Sequence, residues 1–254
     1  MRVSVWREAG VAMVAAVLAL ALSCGVATAS GRTLRAFVLA GSPDSLTDLE
    51  AHAGAVGVIY PTYFYCAADG TRVVGGEAAV AGELTGAGPV TGGGTPVSGG
   101  EAASINEFAA AQDIASMPRF SCQDGGAVHR MLTDRAVRRR ALAELVSLAA
   151  GPAYAGLCLD FENDGASDRA AFSSFVGELA RRLHALGKRL CVVVVGVTHE
   201  DARASTGFYD DARLGALADE VFVLAWGVHW ARSAPGPIAP LPWVRQVAAY
   251  VASL

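Results

Sequence analysis

The chain has no dense run of basic residues, and this absence argues against a nucleic-acid-binding protein. It carries 20 lysines and arginines against 24 aspartates and glutamates, for a net charge of −4 at pH 7. Its densest basic cluster, Arg138-Arg139-Arg140, falls on a predicted helix, where charged side chains usually form a solvated face. We therefore expect no nucleic-acid partner.

Motifs for metal ions and nucleotide cofactors are also absent. The cysteines are not spaced as Cys-x-x-Cys, and His129, His184 and His199 lack metal-ligand spacing, which argues against zinc and thioredoxin-like chemistry. No dinucleotide fingerprint follows the first predicted strand. The glycines between Gly70 and Gly100 are too scattered for a phosphate-binding loop. We predict neither a metal ion nor a cofactor.

Residues 1–29 have the features of a secretory signal peptide. Two arginines precede the apolar run 11–22, and Ala27-Thr28-Ala29 offers a cleavage site of small residues. The uncharged stretch is long enough to remain as a membrane anchor, and Cys24 lies in a sequence similar to a lipobox. We expect an exported protein (periplasmic, cell-envelope or extracellular), with an uncleaved anchor and lipid attachment through Cys24 as the alternatives.

Residues 30–254 are enough for one α/β domain with a full core. Four cysteines lie in this domain, and an exported protein permits disulfide bonds. Cys66 and Cys122 each follow a predicted strand, which favours a bond between them. Cys158 and Cys191 fall within apolar strands, so we expect buried thiols there.

Predicted strands and helices alternate along the domain, which is typical of a parallel sheet with helical crossovers. The predicted strands cover 34–40, 56–65, 114–120, 154–163, 190–195 and 221–226. The clearest helices cover about 134–149, 167–186, 211–217 and 242–253. In the second of these, Ser167 is the expected cap and Gly187 the expected stop.

Residues 70–100 break this alternation. The segment is rich in glycine and has neither helical nor strand periodicity, which predicts a flexible insertion in the second crossover. Helical order is expected to resume at Ser104-Ile105-Asn106-Glu107, which has the spacing of a capping box.

The most informative segment, 154–163, reads as a buried strand that ends in two carboxylates. Because side chains alternate along a strand, Cys158, Asp160 and Glu162 point to one face and the apolar residues between them to the other. Buried paired acids commonly keep one carboxyl protonated near neutral pH. The alternative is a strand end with two solvated acids. Arg119, at the end of the third strand, either pairs with such a buried carboxylate or lies on the surface.

Six strand–helix units favour an α/β fold of the (β/α)8 TIM-barrel type, here apparently truncated after about six units. A doubly wound open sheet is the alternative, although its dinucleotide fingerprint is absent. In the barrel, the two acids would lie at the carboxyl end of a strand, where barrel enzymes place their active sites.

The segment Leu159-Asp160-Phe161-Glu162-Asn163 resembles the catalytic strand of glycoside hydrolase family 18, in particular its bacterial branch of spore-germination and cell-wall N-acetylglucosaminidases. Other segments resemble that branch in the same order. Residues 58–65 resemble its second strand, 117–120 its third, 221–230 its sixth, and 235–243 the loop and helix that follow. The resemblance covers the chain from about residue 34 to its end.

The resemblance implies a retaining hydrolase of β-linked N-acetylhexosamine polymers. Glu162 would be the general acid that protonates the glycosidic oxygen, and the 2-acetamido oxygen of the substrate would be the nucleophile. Asp160 would orient the acetamido group and stabilise the positive charge that develops on it. Peptidoglycan is the expected substrate, with chitin-type oligomers second.

Three features depart from the family pattern. The first two aspartates of its DxxDxDxE motif are Ala155 and Cys158 here, and a thiol is a poor replacement for a carboxyl that shares a proton with Asp160. Trp226 and Gly227 replace a common tyrosine and aspartate. The seventh and eighth units, with the aromatic floor of the sugar site, are missing. These departures favour the alternatives: a catalytically weak or inactive glycan-binding protein, or a fragment of a longer hydrolase.

Aromatic residues at predicted strand ends are candidates for sugar binding. Trp226, His229 and Trp230 lie at and beyond the end of the sixth strand, where rim packing is the alternative. Tyr63 and Tyr65 share one face of the second predicted strand, where core packing is the alternative.

Overall fold

The computed structural model describes residues 34–67, 70, 72–75, 99–162, 165–199, 207–230 and 232–254. The predicted signal segment, including Cys24, and most of the predicted insertion lie outside the described residues. Within these ranges, no helix has the length and apolar character needed to cross a membrane.

Strands and helices alternate through the described residues. The strands are β1 (Leu34–Val38), β2 (Val56–Pro61), β3 (Phe64–Cys66), β4 (Val73–Gly75), β5 (Ala115–Ser116), β6 (Arg119–Cys122), β7 (Gly156–Phe161), β8 (Arg189–Val195) and β9 (Glu220–Leu224). The helices are α1 (Pro43–His52), α2 (Gly99–Ala111), α3 (Gly125–Thr133), α4 (Arg135–Ala149), α5 (Arg169–His184), α6 (Asp211–Leu217) and α7 (Leu241–Val251).

The strands form two separate hydrogen-bonded sheets, because two of the predicted strands are interrupted and each contributes one part to each sheet. One has the order β1-β2-β5 and the other β4-β3-β6-β7-β8-β9. The strands predicted at 56–65 and 114–120 are each interrupted beside a proline, Pro61 or Pro118, because proline has no N–H for the ladder. With each interrupted strand counted once, the described residues supply six parallel strand positions in chain order. This order confirms the predicted α/β fold of TIM-barrel type.

One predicted helix end, the stop at Gly187, is confirmed, and Asp134 is a helix cap that was not predicted. Asp134 caps α4, because its carboxylate accepts hydrogen bonds from two backbone N–H groups of the first turn, at 2.8 and 3.0 Å. Gly187 follows α5 with φ at +68°, and the Lys188 N–H donates to the Leu183 carbonyl at 2.9 Å. A residue in the left-handed conformation at this position lets the backbone N–H groups that follow the helix donate to the free carbonyls of its last turn.

Two predicted caps are wrong. Ser104 lies inside α2, which begins at Gly99, and its hydroxyl donates back to the Gly100 carbonyl. Ser167 lies in a 3₁₀ turn before α5, and the residue at the cap position is Asp168. Both serines are within helical turns, where a hydroxyl bonds to the preceding turn as readily as it caps.

β7 separates two apolar layers, as the alternation of its side chains predicts. Leu157, Leu159 and Phe161 pack in an outer layer together with buried residues of the helices. Cys158 packs in an inner cluster with buried residues of the other strands, including Tyr60 and Met117. The inner face of β7 therefore points into the barrel.

Three aromatic side chains fill the inner side between the first and last strands. Phe37 of β1, Tyr60 of β2 and Phe222 of β9 have ring centroids 5.5, 4.6 and 5.8 Å apart, pair by pair. β1 and β9 are not hydrogen-bonded neighbours in the described sheets. Side-chain contact, rather than backbone pairing, brings these two strands together.

Glu220 at the start of β9 adds a polar tie to this aromatic contact. Its carboxylate accepts hydrogen bonds from Arg35 at 2.7 Å, from the Tyr60 hydroxyl at 2.5 Å and from Arg189 at 2.9 Å. Burial opposes ionisation, but these donors and charges outweigh it and hold the pKa of Glu220 below its usual value. The cluster links β1, β2, β8 and β9.

The second crossover differs in part from the prediction. Val73–Gly75 form β4, which pairs antiparallel with β3, so the absence of strand expected through 70–100 is wrong at these residues. Gly75 has φ at +105°, and a Cβ atom there would lie 2.2 Å from the Tyr63 carbonyl oxygen. Only glycine fits this close approach.

A disulfide bond joins Cys66 of β3 to Cys122 of β6, which confirms the favoured pairing. Both residues are fully buried in the outer layer. The bond links two neighbouring strands at the ends from which the loops of the candidate site emerge.

We expect Glu220→Gln to lower the free energy of unfolding by about 2–3 kcal/mol at pH 7, because it leaves two arginines without their partly buried carboxylate. Urea unfolding measures this change. Because the folded-state pKa is lowered, the stabilisation is present above the unfolded pKa, near 4.5, and is lost as the pH falls through the folded-state pKa. The difference between the two proteins should therefore shrink at acid pH. Glu50→Gln, the same change at an exposed position on α1, is the control and should cost less than about 1 kcal/mol; equal losses would contradict the assignment.

Replacement of both Cys66 and Cys122 by alanine should lower the free energy of unfolding by about 4 kcal/mol. The two residues are 56 positions apart in sequence, and a cross-link over that length removes a corresponding loop entropy from the unfolded chain. Wild-type protein unfolded in a strong thiol reductant provides the control and should match the variant. A variant as stable as the oxidised wild type would show that the bond does not stabilise the fold.

Candidate active site

β7 places Asp160 near its carboxyl end and Glu162 just beyond it. Asp160 is fully buried on the inner face, whereas 24% of the Glu162 side chain is exposed. One acid therefore lies inside the barrel and the other at its mouth. Active sites of such barrels lie at this end of the strands.

Arg119 from the neighbouring strand β6 pairs with Asp160. In the sheet register Arg119 lies beside Cys158, one inner-face position before Asp160. Its Nε donates to Asp160 Oδ2 at 2.5 Å, and a terminal nitrogen contacts the same oxygen. The guanidinium lies 3.8 Å from Glu162 Oε1 and 5.5 Å from the centroid of the Phe37 ring. Of the two predicted alternatives for Arg119, the buried pair is the one formed.

Gln123 is a site residue that sequence reasoning missed, because the strand pattern places it on a loop after β6. Its Nε2 donates to Glu162 Oε1 at 3.2 Å. The available signal was its position, since Arg119, Ser121 and Gln123 alternate along the inner side of β6 and its extension. A helix that starts directly after it, capped by Asp124, holds this loop in place.

The neighbours of Asp160 act on its charge in opposite directions. Its pKa is raised to about 6 overall: burial raises it most, the charge of Arg119 lowers it, and Glu162 raises it by its charge and as a hydrogen-bond partner. Asp160 Oδ1 is buried and accepts no hydrogen bond from any described residue. Glu162 is therefore the neighbouring carboxyl that opposes the ionisation of Asp160, and Arg119 is the neighbouring cation that favours it.

Two thiols lie on the inner face below Asp160. The Sγ atoms of Cys158 and Cys191 are 3.1 Å apart, and both residues are fully buried and reduced, which confirms the prediction of buried thiols. Burial raises the pKa of Cys158 well above its usual value, so the thiol is neutral. The motif position that family 18 fills with aspartate thus adds no charge beside Asp160.

The loop after β9 presents the predicted tryptophans at the surface. Trp226 is 46% exposed and Trp230 is 58% exposed. The registers of β7 with β8 and of β8 with β9 place Trp226 beyond the level of Glu162. His229 is occupied within the loop, with its Nδ1 at 2.8 Å from the Ala234 carbonyl oxygen. Sugar contacts by these three residues stay predictions.

The two predicted tyrosines do not lie on one sugar-facing surface. Tyr63 is fully buried in the outer layer, where its hydroxyl donates to the Ala102 carbonyl of α2. Tyr65 packs in a separate small cluster, and its hydroxyl donates to the Thr62 carbonyl. The interruption between β2 and β3 breaks the alternation on which the shared face depended. Core packing, the alternative reading, describes both.

Other places for a ligand lie apart from the carboxylates. Among the described residues, no group of three or more His, Cys, Asp or Glu side chains could hold a metal ion. An apolar cleft of about 400 Å³ opens on the outer side of β8 and β9, where Val194, Val223 and Tyr250 are among its lining residues. Neither Asp160 nor Glu162 lines this cleft.

Comparison with known proteins finds relatives both in sequence and in structure. No protein-family profile matches the chain. The chain is 33% identical over 119 residues to YdhD of Bacillus subtilis, which carries the name of a sporulation-specific glycosylase. That match covers 47% of this chain and 28% of YdhD, so the chain spans less than a third of the length of this curated relative.

Solved structures show the same fold at low identity. A chitinase from Chromobacterium violaceum superposes with a TM-score of 0.70 and 24% identity, over 87% of this chain and 65% of that one. The spore cortex-lytic enzyme SleL of Bacillus cereus gives a TM-score of 0.69 and 18% identity, over 86% of this chain and 47% of that one. The chain therefore has a fold like that of glycoside hydrolase family 18, while its place in a particular branch of that family stays a prediction.

The raised pKa of Asp160 predicts that Asp160→Asn stabilises the protein at pH 7.5. A folded-state pKa near 6, above the usual 3.8, means that stability falls as the pH rises from about 4 through 6. Asparagine avoids the buried charge, and we expect a gain of about 2 kcal/mol at pH 7.5 and little or none at pH 4. Urea unfolding at both pH values measures it. Asp48→Asn, the same change at an exposed position, controls for the substitution itself. An Asp160→Asn protein that is less stable than wild type at pH 7.5 would contradict the account.

Proposed function

We propose that this chain is a glycoside hydrolase that cleaves β-linked N-acetylglucosamine-containing glycans by a retaining, substrate-assisted mechanism. The observation that carries the proposal is the buried Asp160, whose pKa is raised to about 6, beside the partly exposed Glu162 at the carboxyl end of β7. The proposed mechanism gives this pair of carboxyl groups one proton to share. The fold shared with a chitinase and a cortex-lytic enzyme supports a glycan as substrate.

Glu162 has the role of general acid in this proposal. Its partial exposure lets a glycosidic oxygen approach, and Gln123 holds Oε1 by donating to it. Because Oε1 already accepts this hydrogen bond, the proposed role places the acidic proton on Oε2. Proton transfer from a positioned carboxyl to the leaving oxygen contributes about 10²–10⁴-fold to the rate.

Asp160 has the role of the anion that orients the substrate. Its carboxylate would accept the N–H of the 2-acetamido group, which turns the acetamido oxygen towards the anomeric carbon for attack. The positive charge that then develops on the acetamido group lies beside a buried carboxylate, where water does not screen it. Such fixed electrostatic support is worth about a hundredfold or more in rate.

Peptidoglycan outside the cytoplasm is the preferred substrate, with chitin-type oligomers second. The predicted signal segment supports export, and so does the Cys66–Cys122 bond, because disulfides persist in oxidising compartments. The resemblance to the bacterial cell-wall branch and the name of YdhD support a cell-wall glycan. Attachment through a lipid at Cys24 remains the alternative to free secretion.

A glycan-binding protein with weak or no activity is the second candidate. Trp226 and Trp230 expose aromatic faces on which sugars can stack, whereas Ala155 and Cys158 replace two motif aspartates. Binding without turnover needs the tryptophans but not the proton on Glu162. The two candidates therefore respond differently to substitution of the acid.

We expect Glu162→Gln to reduce hydrolysis of peptidoglycan or fluorogenic N-acetylglucosamine oligomers by at least about a hundredfold, because the amide cannot donate a proton to the leaving oxygen. Binding of the same oligomers, measured by calorimetry, should change little. Circular dichroism confirms that both proteins are folded.

Glu50→Gln, the same change at an exposed position on α1, is the matched control and should leave turnover intact. Folded wild-type protein that binds oligomers without cleaving them would replace the hydrolase by the glycan-binding candidate. Equal turnover in wild type and Glu162→Gln would remove Glu162 from the role of acid.

A further inference from the structure

A proton shared by two carboxyl groups serves general-acid catalysis only when Glu162 carries it. Asp160 is the more deeply buried of the two, and burial favours the neutral form of a carboxyl. Left to burial alone, the proton would reside on Asp160 and Glu162 would be an anion. Some feature of the site must reverse that preference.

Arg119 contacts the two carboxyl groups unequally. Two of its nitrogens meet Asp160 Oδ2, with Nε at 2.5 Å, whereas its approach to Glu162 Oε1 is 3.8 Å. The guanidinium also lies over the Phe37 ring, which touches Phe222 of β9, so packing across the barrel holds it against Asp160. A guanidinium does not lose its charge at any relevant pH.

We propose that Arg119 is a positioning residue that keeps Asp160 ionised and thereby leaves the shared proton on Glu162. The inference rests on the proposed function and names a residue that determines which carboxyl acts as the acid. Arg119 acts through Asp160 and is not itself a proton donor.

None of the other titratable groups described around Asp160 supplies a positive charge that would favour its ionised form. Glu162 lies above it, the Cys158 thiol one inner position below it, and Cys191 of β8 touches that thiol. Tyr60 of β2 faces the two thiols from below, and burial raises the pKa of its hydroxyl. Arg119 of β6 supplies the positive charge that favours the anion.

The proton balance follows from this assignment. The O–H bond of Glu162 breaks, and its proton goes to the glycosidic oxygen as the bond to the anomeric carbon breaks. Water that later attacks the anomeric carbon gives a proton back to Glu162. Asp160 stays ionised throughout, so Arg119 keeps the same partner at each step.

Arg119→Met and Arg119→Lys test the proposal by their pH profiles. Loss of the cation raises the pKa of Asp160, so the acid limb of kcat/KM in Arg119→Met should move up by about one pH unit or more. We expect kcat at pH 6 to fall about fivefold or more, with KM within about twofold of wild type. Arg119→Lys keeps a charge without the two-nitrogen contact and should restore part of both effects.

Arg138→Met is the matched control. Arg138 pairs with Glu178 at 3.1 Å, lies 5.2 Å from the Phe175 ring centroid, and has a side chain 18% exposed against 19% for Arg119. Arg138→Met therefore removes an ion pair that lies over an aromatic ring, as Arg119→Met does, but at a position outside the site. An acid limb that is unchanged in Arg119→Met, or moves equally in Arg138→Met, would overturn the proposal.

A second measurement separates this proposal from the proposed function. In protein with ¹³C-labelled aspartate, the Asp160 carboxyl signal, assigned with Asp160→Asn, should titrate about one pH unit or more higher in Arg119→Met than in wild type. This readout needs no substrate. If wild type cleaves no glycan, the hydrolase proposal fails, while the titration still decides the role of Arg119; an unchanged titration overturns it.

Discussion

The ion pair between Arg119 and Asp160 is the interaction on which the candidate site depends. A carboxylate on the inner face of a barrel strand loses its water, and an ionised carboxyl there needs a partner or a proton. The structure supplies the partner, a guanidinium at 2.5 Å on Oδ2, and Glu162 is the neighbouring carboxyl that favours the protonated form of Asp160. In the proposed mechanism, the ion pair at Asp160 and the proton on Glu162 give the two acids different tasks.

The interior of the barrel supports that pair from below. Phe37, Tyr60 and Phe222 fill the space between strands that do not share backbone hydrogen bonds, and Phe37 also underlies the Arg119 guanidinium. Glu220 then ties the same strands through its hydrogen bonds to Tyr60 and two arginines. The packing that holds β1 against β9 is therefore also the packing that orients the site arginine. Aromatic contacts of this kind have definite geometry, which suits them to that purpose.

Alternation along β7 made the centre of the site predictable from sequence. A strand with apolar residues on one side and Cys158, Asp160 and Glu162 on the other favours an arrangement in which the acids face an interior or a cleft. In the structure Asp160 is buried on that face and Glu162 is 24% exposed at the mouth. The same rule failed for Tyr63 and Tyr65, because the strand predicted at 56–65 is interrupted after Pro61 and its side chains lose their alternation. Gln123 continues the alternation of Arg119 and Ser121, but it lies on the loop beyond β6, where no strand was predicted. Arg119 lay between these cases: its position was predictable, but its choice between a buried and a surface partner required the sheet register.

The neutral thiol at Cys158, in contact with Cys191, gives the site a different electrostatic basis from a row of aspartates. Arg119 of β6 brings a positive charge to Asp160, where the family 18 motif has a further carboxyl on β7. One carboxyl fewer, and so one proton fewer, then has to be placed in the interior.

Our central proposal is that this arrangement still performs retaining, substrate-assisted cleavage. Proton NMR of the first products released from N-acetylglucosamine oligomers tests it most directly, because the anomeric signal reports the configuration before mutarotation. The account predicts β-anomers at early times, with no cleavage of the matching oligomers that lack the N-acetyl groups; α-anomers first, or equal cleavage of the deacetylated oligomers, would contradict it.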